Sequence, residues 1–159
     1  MTTLRQGDRA PLLIGLTLDG QPYLEQPEGS LTILVFFKES CPTCRLILPR
    51  LENLHRAYPS SGWRLLGIGQ DPPPILQNLA RELGLSFPIL ADHHFASSIA
   101  YHLTHVPTTF VIDPHGQILH ITVGFARDDL EAISHQIAQK LNAPPHPITY
   151  DQDPAFRPG

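Results

Sequence analysis

Apolar and polar positions along the chain mark out a series of alternating elements. Leu12 to Tyr23 (LLIGLTLDGQPY) alternates loosely around Asp19-Gly20, a turn pair that predicts a short N-terminal β-hairpin. Leu31 to Phe37 (LTILVFF) is an unbroken apolar run rich in β-branched and aromatic residues. That pattern suits a strand buried on both faces, as in a parallel sheet. From Leu46 to Tyr58 the apolar positions Ile47, Leu51, Leu54 and Tyr58 recur at helical spacing, with Pro49 expected to bend the helix. Trp63 to Gly69 reads as the next buried strand. Asp71 ahead of Pro72, Pro73 and Pro74 signals an N-capped helix carrying Ile75, Leu79 and Leu83 and ending at Gly84.

Phe87 to Ala91 is a short strand and His93 to His102 a helix of mixed polarity. Thr108 to Ile112 and Gln117 to Val123 form a hairpin, because Asp113-Pro114-His115-Gly116 has proline and glycine at the positions a tight turn favours. Asp128 opens a last amphipathic helix with Leu130, Ile133, Ile137 and Leu141 on one face. Strand and helix alternate until that closing hairpin, which predicts an α/β fold: a central mixed β-sheet flanked by helices, with the N-terminal hairpin as an extension.

Composition refines this outline. The 159 residues suit one domain, and a hydrophobic share of 42% is enough for a real core. Proline is the anomaly, at 17 residues, about twice average usage. Five of them fall in 144–159 (PPHPITYDQDPAFRPG), so the expected division is a folded domain over 1–143 and a tail that is extended or disordered. A net charge of -4 argues against nucleic acid or an anionic membrane as the main partner. The first twenty residues hold no signal-like apolar core, and no window reaches the ~18 apolar residues of a membrane span. A cytoplasmic monomer is expected.

Only two cysteines are present, Cys41 and Cys44. A disulfide-stapled domain carries more, and a zinc site wants further ligands at set spacings, so no metal is expected. In Ser40-Cys41-Pro42-Thr43-Cys44 the pair follows a buried strand and opens a helix. There Cys41 meets unpaired N–H groups and the positive end of the helix dipole, which favour a thiolate. Cys44, one turn on, is placed to close a small disulfide ring as the shielded, resolving thiol.

Val106-Pro107-Thr108 stands just before a later strand. With this element the sequence resembles the thioredoxin superfamily, and within it the redoxin group that joins TlpA/ResA-like thiol-disulfide reductases to AhpC/TSA-type peroxiredoxins. The matching pieces are GDRAP (7–11), LTILVFF running into CPTC, GIGQD (67–71), LSFPILAD (85–92) and VPTTFVID (106–113), over about residues 5–142. The resemblance implies a thioredoxin-like fold and a thiol-disulfide oxidoreductase that needs no cofactor. Cys41 would be its nucleophile and Cys44 its resolver. It implies that Pro107 is a cis-proline facing the cysteines, and that the Val106 backbone pairs with a substrate chain. Ser40, Pro42 and Thr43 would border that chain. The implied partner is a protein disulfide or dithiol, or a small thiol.

Three departures from the family pattern stand out. Ser40 replaces the usual tryptophan, Val35 the buried aspartate of thioredoxin, and Ile47 the acid of cytochrome-maturation reductases. No general base for Cys44 is evident. A peroxiredoxin-like peroxidase is the alternative reading, but its PxxxTxxC pattern fails in both registers. Counted from Cys41 it meets Lys38 and Leu34, and counted from Cys44 it meets Cys41 and Phe37. A copper chaperone is weaker still, since it would carry CxxxC. His105, two residues before Pro107, is a candidate modulator of the Cys41 thiolate.

Overall fold

A computed structural model describes residues 3–159. A hairpin of β1 (Leu13–Thr17) and β2 (Pro22–Glu25) leads into β3 (Leu31–Phe37), α1 (Pro42–Ala57) and β4 (Trp63–Gly69). Next come α2 (Pro73–Leu83), β5 (Ile89–Ala91), α3 (Ala96–Ala100), β6 (Thr108–Ile112) and β7 (Ile118–Val123). The chain closes with β8 (Phe125–Ala126), α4 (Arg127–Leu141) and β9 (Phe156–Arg157). Seven strands form one mixed sheet in the order β2-β1-β5-β4-β3-β6-β7. Among these, β3, β4 and β5 are parallel, while β6, β7 and the N-terminal hairpin are antiparallel additions. Among the described residues no helix is long and apolar enough to cross a membrane.

β3 is the centre of this sheet, and every residue in it is buried. Alternation along the strand sends Ile33, Val35 and Phe37 to one face with α1, α2 and α4. Leu34 and Phe36 go to the other, beside Tyr101 and Phe110. The cysteines sit on the first face, with Val35 in the same apolar cluster. β4 makes room for the large rings of its neighbour through glycine. A Cβ at Gly69 would lie 3.1 Å from the Phe37 ring and 2.5 Å from Leu76.

Local signals misplaced some boundaries. Asp71 does not cap α2. Its carboxylate accepts from the Glu39 N–H at 2.8 Å, tying the end of β4 to the loop before Cys41, and the cap position falls to Pro72. β5 begins at Ile89 because Pro88 has no N–H to give, although its carbonyl accepts from the Gly67 N–H. α3 is shorter than its polarity pattern suggested. Phe95 and His102 adopt positive φ at its two ends, and Asp92 binds the Ser97 and Ser98 N–H groups.

The tail is the main correction. Residues 144–159 lie extended but packed. Ile148 and Asp153 are buried, and β9 pairs with β8. Composition suggested disorder because so polar a stretch cannot build a core of its own. Instead it borrows partners from the helices. Glu131 on α4 accepts from the Ile148 and Thr149 N–H groups, and Asn53 on α1 donates to the Ile148 carbonyl. The Tyr58 hydroxyl accepts from the His146 N–H, and Ser134 donates to the His146 carbonyl. Arg50 holds Asp153 through two bonds of 2.7 and 2.6 Å and stacks over the Tyr150 ring. The prolines that looked like a sign of disorder lower the entropy lost when the segment docks.

Candidate active site

α1 starts on the cysteines because its first turn caps itself. Cys41 is the N-cap residue, its Sγ accepting from the Cys44 N–H at 3.1 Å. Pro42 takes the first helical position, where no N–H is needed. The sulfur thus stands over the free amides of the helix terminus, the local field most favourable to negative charge. Cys44 is fully buried, while Cys41 is 4% exposed and borders a cavity of about 390 Å³. Burial first, and then the adjoining Cys41 side chain, push the Cys44 thiol well above the ordinary thiol range.

Opposite the helix terminus, the Val106–Pro107 peptide is cis. The Val106 carbonyl lies 3.7 Å from Cys41 Sγ. This loop is held on both sides: Thr108 donates to the His105 carbonyl, and the Gly124 N–H donates to the Pro107 carbonyl, each at 2.7 Å.

Of the residues marked in the sequence, Ser40, Cys41, Pro42, His105 and Val106 line this one cavity. Thr43 does not. It is buried, and its hydroxyl donates to the Pro158 carbonyl. His105 is exposed, and its ring pairs with Thr104 at 3.1 Å rather than with a sulfur. Sequence reasoning missed Lys38 and Gln70, which also wall the cavity, and Gly159, which arrives from the far end of the chain. Lys38 had a signal of sorts, since it follows β3 directly. Gln70 lay within the matching piece GIGQD (67–71), and Gly159 had no signal. A second, apolar hollow of about 580 Å³ shares Gln70, Leu103 and Thr104 with the first and carries the exposed side chains of Phe95 and Ile99. Apolar surface beside the cysteine cavity thus comes from Phe95, just before α3, and from Ile99 within it.

A mixed sheet with a dithiol at a helix N-terminus and a cis-proline across from it is the thioredoxin-like arrangement, and its chemistry is thiol-disulfide oxidoreduction. The chain belongs to the AhpC/TSA family, whose model matches residues 6–121. It is 30% identical over 122 residues to the thiol-disulfide oxidoreductase ResA of Halalkalibacterium halodurans, an alignment covering 76% of this chain and 69% of that protein. The sporulation thiol-disulfide oxidoreductase A of Bacillus subtilis is 26% identical over 112 residues, 68% of each chain. Among solved structures, a thiol:disulfide interchange protein DsbE from Chlorobium tepidum superposes with a TM-score of 0.77 at 26% identity, covering 87% of this chain and 99% of that one.

Proposed function

We propose that this oxidoreductase reduces disulfides in protein substrates, with Cys41 as nucleophile and Cys44 as resolver. The observation that carries the reading is the unequal placement of the two sulfurs. Cys41 Sγ caps a helix at the edge of a cavity and faces the Val106 carbonyl, while Cys44 is sealed beneath it. The Cys41 thiolate attacks one substrate sulfur, forming a Cys41–substrate disulfide. The other substrate sulfur leaves as a thiolate and takes up a proton. Cys44 then loses its proton and attacks Cys41 Sγ, forming the Cys41–Cys44 disulfide and releasing the second substrate thiolate. The substrate gains two electrons, the pair loses two, and a dithiol reductant restores it. Val106 docks the substrate backbone, with Ser40 and Pro42 on the opposite wall. The relatives' names, which describe oxidoreductases and interchange proteins, support the substrate class.

The test is reduction of insulin disulfides against peroxide consumption, together with a redox titration of the pair. Insulin turnover lost in Cys41→Ser, with a potential near the roughly -270 mV of thioredoxin, supports the reductase. Faster peroxide consumption, or no redox transition, overturns it.

A further inference from the structure

Residues 156–159 run toward the cavity at Cys41, whose lining includes Gly159. β9 takes the open edge of β8, pairing Phe125 with Arg157 and Ala126 with Phe156. Beyond it, the Pro158 carbonyl accepts from Thr43 Oγ1, one residue from Pro42 and two from Cys41. Gly159 rests against the Val106 carbonyl so closely that a Cβ there would overlap its oxygen. On the other wall, Gly124 (φ +87°) lets the Arg157 carbonyl pass at a distance that leaves only 2.7 Å to a Cβ. The backbone edge and the Val106 carbonyl are what an extended peptide would use to add itself beside Cys41. Here β9 covers the β8 edge, and Gly159 fills the space against the Val106 carbonyl.

We propose that residues 156–159 are a built-in competitor for the substrate groove, a strap that screens substrates by size. The inference rests on Val106 as the docking position in the function proposed above. A protein substrate must lift the strap, whereas a small disulfide enters the cavity of about 390 Å³ whose rim Gly159 forms.

The segment is held unevenly along its length. Upstream, Asp153 is buried on Arg50, and Arg127 donates to the Asp151 and Asp153 carbonyls. Downstream, residues 156–159 are all exposed, with Phe156 at 58%, so they are held mainly through their backbone. Loss of that end uncovers little apolar surface and leaves the anchor in place. A groove open only a fraction of the time lowers apparent affinity for a chain substrate by that fraction.

The experiment compares the full chain, a variant lacking 156–159, and Asp153→Asn, which weakens the anchor with every residue present. Cys41 alkylation is timed with iodoacetamide and with a polyethylene-glycol maleimide. Reduction of insulin is measured against reduction of dithiobis-nitrobenzoate. Removing the strap should speed the bulky maleimide and raise kcat/KM for insulin by about tenfold, as for a groove open a tenth of the time. Iodoacetamide and the small disulfide should be unchanged. Asp153→Asn should show the same split at smaller size. An unchanged maleimide rate without the strap overturns the proposal, and so does equal acceleration of both reagents, which would mean general loosening. Alkylation needs no turnover, so a size split with neither disulfide reduced supports the strap and overturns the oxidoreductase reading instead.

Discussion

One helix does two jobs in this protein. The first turn of α1 positions the sulfurs through neighbours in sequence: Cys41 caps, Pro42 starts the helix and the Cys44 amide binds the Cys41 sulfur. The flank of the same helix, at Arg50 and Asn53, holds the segment that carries the strap, through Asp153 and Ile148, about a hundred residues away. The first arrangement forms wherever the helix forms. The second exists only after the whole chain has folded, so each can be broken without the other.

The largest effect expected is from Cys41→Ser, which reduces insulin turnover to the background of uncatalysed exchange while hydrogen exchange along 148–153 stays as in the parent. Cys44→Ser should keep the first step and accumulate a Cys41–substrate disulfide visible by intact-mass measurement. Loss of protection in the strap of the Cys41 variant would show that the two jobs are linked.

Arg50→Ala is the converse. Leaving the Asp153 carboxylate buried without its partner costs about 3–5 kcal/mol. Undocking of the strap offers a way to avoid that cost, so the measured loss is capped at the docking free energy of 144–159. Amide exchange should therefore rise across 148–153 and barely change in β3. A cooperative loss of protection in both would show that the strap is part of the global fold.

Within the first turn, the Cys44 thiol is held up by burial and by Cys41. Its reactive thiolate is therefore a minor species at neutral pH. Release of substrate from the mixed disulfide should speed by about tenfold per pH unit through the neutral and mildly alkaline range. A rate independent of pH would point to a base that the structure does not place beside Cys44.

The smallest effect concerns the strap at low pH. The hydrogen bonds from Arg50 hold the Asp153 carboxyl below its ordinary value, against the opposing pull of burial. Asp153 stabilises the docked strap above its unfolded pKa of about 3.9, and that contribution fades as pH falls through the lower folded value. Urea unfolding of the parent and Asp153→Asn should differ most near neutral pH and converge below about pH 4. A gap that persists in acid would assign the stabilisation to shape rather than charge.

Much of the fold could be read directly because its signals are local. The all-apolar LTILVFF run gave the central strand, Asp19-Gly20 the first hairpin, and the turn at 113–116 the second. The misplacements came where a side chain found a better partner elsewhere, as Asp71 did at Glu39. At the site, the two cysteines and Pro107 were visible in the sequence. Thr43 was visible as a residue, but its use by Pro158 was not.

The sequence by itself determined a redox-capable helix start on a mixed sheet, since periodicity and the Cys-Pro-Thr-Cys spacing act over a few residues. Tertiary structure alone decided what covers that site. A segment rich in proline and polar residues has no core of its own to announce it. It becomes ordered only because partners on α1 and α4 satisfy its backbone and its one buried carboxylate.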